Sequence, residues 1–240
     1  MNGGAASIWH DVECGSYGAD LPLWEELAER CGGPVLELGC GTGRVALHLA
    51  RRGHEVIGLD ADPELLAVLA SRGADLPLRT LEADAREFKL EEQAALVLAP
   101  THLLQLLPDA AARAECLRCI AAALRPGGIL AVAIIEEMPE PDGAPPPLPD
   151  VREVDGWVYS SLAVEAAIGP GEIIVRRLRQ TVSPDGAFNE EPNEVRIATF
   201  TTAALESEAT AFGLAQAGRH EIPATDIHVG SLVVLLEKRV

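Results

Sequence analysis

A chain of 240 residues, 48% of them apolar, can bury one core and is short for two full domains. Its formal charge of −18 would repel phosphate backbones, which argues against nucleic acid as a partner. The longest strongly apolar run, Ile129–Ile135, falls far below the roughly 20 residues that a membrane-spanning helix needs, and the start lacks a basic, apolar export signal. No membrane partner and a cytoplasmic location are therefore expected.

Residues 1–33 read as a helical cap, with a helix over Leu21–Cys31. Residues 34–137 then alternate short apolar runs with amphipathic stretches, the pattern of a parallel sheet covered on both faces. The expected strands there are Val35–Leu38, Val56–Leu59, Leu76–Leu81, Ala95–Ala99 and Ile129–Ile135. The expected helices are Arg44–Arg52, Pro63–Ser71 and Asp109–Leu124, with Pro63 suited to a first turn and Pro126-Gly127-Gly128 following the last.

Residues 138–200 change character. Met138–Asp150 is proline-rich and acidic, a connector, and Val151–Val164, Ile173–Val182 and Val195–Phe200 carry strand-like alternation separated by Gly169-Pro170-Gly171 and Ser183-Pro184-Asp185-Gly186. This predicts a small antiparallel insertion. Residues 201–240 return to the core with a helix from Thr201 to Gly213 and strands over Ala215–Ile222 and Ser231–Glu237. The five cysteines are odd in number and are expected to be reduced; Cys116 and Cys119, in an Ala-rich helix with no second pair, read as structural, and no metal site is expected.

The first strand runs directly into Gly39-Cys40-Gly41-Thr42-Gly43 and a helix, a turn in which glycines let backbone pass close to a ligand. A dinucleotide fingerprint would place Gly or Ala where this chain has Arg44. Asp60 closes the second strand, where a carboxylate can take both hydroxyls of a ribose. Asp84 follows the third strand, where it can accept from an adenine amino group, and Glu37 lies just ahead of the glycines.

On these residues the chain resembles the class I S-adenosylmethionine-dependent methyltransferases. The segments that carry the likeness are Val35–Gly43, Val56–Asp60, Glu82-Ala83-Asp84-Ala85, Ala95–Pro108 and Leu124–Leu130. The resemblance implies a Rossmann-like seven-stranded sheet with its last strand antiparallel, and S-adenosylmethionine as cofactor. It assigns the glycine loop, with Gly39, Cys40, Gly41 and Gly43, to the methionine end, Asp60 to the ribose, and Asp84 and Ala85 to the adenine, with Glu37 and Ala61 also among the cofactor-binding residues. Ala99 to His102 would lie beside the sulfonium, and Tyr17 would close over the cofactor.

Methyl transfer from a sulfonium needs an acceptor held in line and water kept away, not a metal or a covalent residue. An oxygen acceptor needs its proton removed, and His102, after the fourth strand, is the candidate base, followed by Glu136 and Glu137. Trp157 and Tyr159 in the insertion suit an apolar lid over a small-molecule acceptor, or a contact in a homodimer. Two other readings stay open: a cofactor-binding regulator without turnover, and a nicotinamide-dependent oxidoreductase on the same fold.

Overall fold

The computed structural model of the chain describes residues 5–136, 148–225 and 228–239. In chain order the elements are α1 (Ala5–Cys14), α2 (Leu21–Cys31), β1 (Val35–Leu38), α3 (Arg44–Ala50), β2 (Val56–Asp60), α4 (Pro63–Arg72), β3 (Leu78–Glu82), β4 (Ala94–Ala99), α5 (Leu103–Leu106), α6 (Ala110–Ala123) and β5 (Leu124–Ile134). There follow β6 (Asp150–Val154), β7 (Trp157–Gly169), β8 (Glu172–Val182), β9 (Phe188–Ala198), α7 (Thr202–Thr210), β10 (Leu214–Ile222) and β11 (Ser231–Lys238).

Seven strands form one sheet in the order β10-β11-β5-β4-β1-β2-β3, and β11 runs antiparallel to both of its neighbours. This is the Rossmann-like architecture expected from the sequence. Every residue of β1 and β4 is buried, because helices cover both faces. Leu36, Leu38, Val97 and Ala99 pack toward α6 and α7, while Val35, Leu96 and Leu98 pack toward α2, α3 and α4. The alternation explains why these strands read as continuous apolar runs. It also puts Glu37 on the α2–α3 side, beside Val35. The chain leaves β1 for β2 on one side and reaches β4 on the other, so a crevice opens at the carboxyl ends of these strands.

The remaining strands form a separate antiparallel sheet, β6-β7-β8-β9. Four strands appear where three were expected. The stretch Val151–Val164 turns back at Asp155 (φ 51°) and Gly156 (φ 79°), a two-residue hairpin that Asp-Gly favours. Likewise β9 begins at Phe188 and not at Val195, since Asn189–Glu194 pair with β8 while lying largely open to solvent. Most of the expected connector, and Glu137, lie outside the described residues.

Helix α1 was not singled out in the sequence, and it joins the two sheets. Trp9 meets Tyr159 of β7 edge to face at 5.4 Å, and the Arg179 guanidinium lies 5.1 Å from the Trp9 ring centre. Glu13 accepts two hydrogen bonds from Arg179 and one from Ser161, each 2.8 Å. All five cysteines are free. Among the described residues no helix is long and apolar enough to cross a membrane.

Candidate functional site

The glycine loop sits at the crevice. Gly39 and Gly41 have φ of 63° and 53°, a region that side chains disfavour. A Cβ on Gly41 would stand 2.1 Å from His10 Nε2, so glycine is required there by contact as well as by conformation. Asp60 holds the loop down: its carboxylate accepts the Gly41 N–H at 2.8 Å and the Asp62 N–H at 3.0 Å. Thr42 is tied to α1, donating to Asp11 at 2.6 Å, with His10 Nδ1 3.0 Å from the same hydroxyl.

Behind the loop lies a buried charged chain. Arg44 forms a two-pronged pair with Asp20 at 2.5 and 2.7 Å and donates to the Tyr17 carbonyl at 3.0 Å. Asp20 also accepts from Trp24 Nε1 at 2.7 Å, so its charge is fully compensated. Glu37 is not so well served. It is buried with Oε2 lacking any partner, and burial, opposed by Arg44 and the Ala46 amide, raises its pKa to about 8. A carboxyl in that state is largely neutral at pH 7 and would bind a cation by ionising.

The crevice holds a cavity of about 520 Å³. Glu37, Gly39, Cys40, Asp60, Ala61, Asp84 and Ala85 line it, all of them residues assigned to a cofactor from the sequence. Asp84 is exposed and bound to Arg86, which holds its pKa down at about 2 and keeps it ionised. Pro100 and Thr101 after β4, within the stretch expected beside the sulfonium, line the cavity too. Its other walls were not anticipated: His10 and Cys14 from α1, and the apolar side chains of Leu103, Leu106 and Leu107.

The other expected residues stand elsewhere. Gly41 and Gly43 shape the loop without facing the cavity, and Ala99 is buried at the end of β4. Tyr17 and His102 line a second, smaller cavity of about 100 Å³, next to Glu13, Asp20, His228 and Ser231. His102 has φ 63° and stands at the start of α5 with Nε2 buried and unpartnered. Burial lowers its pKa to about 4, so at neutral pH it is an uncharged imidazole and a weak base. The Tyr17 ring packs on His228, with ring centres 4.7 Å apart.

Of these contributors, α1 left a faint trace in the sequence and His228 left none. Trp9 and Val12, three apart and both buried, are the short apolar stripe that could have revealed α1. His228 lies between β10 and β11, outside any periodic pattern.

Comparison with known proteins bears on the same residues. Residues 35–128 match a family model described as a methyltransferase domain. The chain is 32% identical over 114 residues to the cypemycin N-terminal methyltransferase of a Streptomyces species, covering 47% of this chain and 46% of that one. It is 31% identical over 150 residues to the ubiquinone biosynthesis O-methyltransferase of Aeromonas salmonicida, covering 56% of this chain and 60% of the relative. The chain thus matches about half the length of these curated relatives. Among solved structures, the sugar N-methyltransferase KedS8 from a Streptoalloteichus species superimposes with a TM-score of 0.74 over 97% of this chain and 92% of that one, at 18% identity. The amino pentose methyltransferase CalS10 from Micromonospora echinaspora, solved with S-adenosylmethionine, gives 0.71 over 96% of both chains at 19% identity. At such identities the likeness is one of fold.

Proposed function

We propose that the chain is a class I S-adenosylmethionine-dependent methyltransferase and that it transfers a methyl group from this cofactor to a nitrogen or oxygen of a small molecule. The observation that carries the reading is one cavity bounded by three features together: the glycine loop, the strand-end carboxylate of Asp60, and Glu37 with an unpaired buried oxygen.

The residues present suit the cofactor. Glu37 would meet the positive amino group of its methionine end, and that charge would draw the carboxyl to its ionised form. Asp60 has acceptor capacity left for ribose hydroxyls after binding two backbone amides. Asp84 and Ala85 would serve the adenine, while Leu103, Leu106 and Leu107 give the cavity an apolar wall. When bound, the cofactor supplies a methyl group on a positively charged sulfur, open to in-line displacement. The chain's own contribution is alignment and exclusion of water, since no residue lining the cavity needs to form a covalent bond. A small-molecule acceptor is supported by α1, whose His10 and Cys14 form part of the cavity wall, and by fold neighbours described as acting on sugars.

The test is calorimetric titration with S-adenosylmethionine and S-adenosylhomocysteine, with NAD as control. Saturable binding of the first two and none of NAD is expected. Asp60→Ala should weaken both ligands by about tenfold or more, and Asp84→Ala by less, because its site is open to solvent. Binding of NAD alone, or unchanged affinity in both variants, would overturn the assignment.

A further inference from the structure

The smaller cavity shares Cys14 and Thr101 with the larger one, so the two adjoin at the foot of α1. Its carboxylates are already committed: Glu13 to Arg179 and Asp20 to Arg44. What remains uncommitted is a pair of imidazole nitrogens. Nε2 of His102 and Nε2 of His228 are both buried without a partner, and both residues line this one cavity. A buried polar nitrogen without a hydrogen bond is costly, and two of them around one small space point to a ligand group that satisfies both.

We propose that this cavity receives the nucleophile of the acceptor, that the nucleophile is a primary amine, and that His228 opposes His102 as a positioning residue for it. The inference deepens the methyltransferase reading and rests on it. As Nδ1–H tautomers the two imidazoles present two acceptors, matching the two N–H bonds of an amine; a hydroxyl has one proton and would leave one nitrogen bare. Burial lowers the pKa of both rings, which keeps them neutral acceptors at pH 7. Held by its N–H bonds, the amine directs its lone pair at the methyl carbon. The new C–N bond forms as the C–S bond breaks, its electron pair staying on sulfur, and the product leaves as the methylated ammonium, carrying its extra proton into solvent. The ring of His228 is itself fixed against Tyr17, whose hydroxyl is hydrogen-bonded to Ser231.

Sinefungin is a suitable probe, because it carries a primary amine on the carbon that replaces the sulfonium sulfur. Its affinity is compared with that of S-adenosylhomocysteine in the full chain and in two variants. His228→Phe keeps a ring against Tyr17 and removes the nitrogen; His228→Gln returns a polar atom near the position of Nε2. Sinefungin affinity should fall about tenfold in His228→Phe, with S-adenosylhomocysteine unchanged within about twofold, and should largely recover in His228→Gln. Equal affinity of sinefungin for wild type and His228→Phe would overturn the proposal. So would a parallel loss of both ligands, which would make His228 a support of the fold or of the cofactor cavity. If S-adenosylhomocysteine failed to bind even the wild-type chain, the methyltransferase reading itself would fall, and this inference with it.

Discussion

The two sheets are held by different forces. In the seven-stranded sheet the side chains of β1 and β4 meet only other buried groups, and Leu36, Leu38, Leu96 and Leu98 are wholly enclosed. The four-stranded sheet meets the first through a small apolar cluster, Ile173 and Ile197 against Ile135 just after β5, and is otherwise fastened through α1 by charged pairs: Glu13 with Arg177 and Arg179, and Asp11 with Arg152. Apolar burial in the first is not screened by salt, whereas ion pairs that water still reaches, as at Arg152, are screened in part. The cofactor cavity lies on the first, and the wall that closes it belongs to the joint with the second.

Three measurements would break or sharpen that contrast. The largest effect is expected from Leu98→Ala, which opens a void in the fully buried centre of the sheet and should cost about 3–5 kcal/mol in urea unfolding. A loss below about 1 kcal/mol would mean that the centre repacks freely and is not the rigid half.

Next comes Glu37, a carboxyl buried in that half with one oxygen lacking a partner. Since the pKa of Glu37 is raised to about 8 in the folded chain from an ordinary 4.5, the stability it allows is complete below about pH 4.5 and is lost as pH rises through about 8. The slope should approach 1.4 kcal/mol per pH unit within that window. Thermal unfolding of wild type against Glu37→Gln should show the difference narrowing or reversing as pH rises from 5 to 8. Identical pH profiles would remove Glu37 from the account. Smallest is Glu13→Gln, which should lower stability by about 2 kcal/mol in low salt and somewhat less in 0.5 M salt, while making the insertion more open to limited proteolysis. A large, salt-independent loss would show that the joint is built like the core.

The same contrast decides what could be read from the sequence. Strands buried on both faces, such as Ala94–Ala99, announce themselves as apolar runs, and the glycine loop with Asp60 and Asp84 has a fixed order along the chain. The insertion hid its edges because Asn189–Glu194 is polar on both faces, so its pairing is set by β8 and by no pattern of its own. Helix α1 shows only two buried apolar positions, Trp9 and Val12, and its meaning lies in ion pairs to residues about 140 to 170 positions away. His102 was visible as a histidine after a strand. That it turns from the cofactor cavity toward His228 depends on a left-handed backbone at Thr101 and His102, which residue types do not signal.

The order of strands carries a consequence for synthesis. Among the described residues β10 touches the sheet only through β11, and β11 is inserted between it and β5. A nascent chain that has released everything through Ile222 therefore carries β10 with no edge to join, and β5 with an unfilled row of amides and carbonyls. Both are settled at once when Ser231–Lys238 emerges and slides between them. His228, just ahead of β11, is drawn into place by that same event, so the small cavity it shares with His102 is completed only after both sides of the sheet have joined.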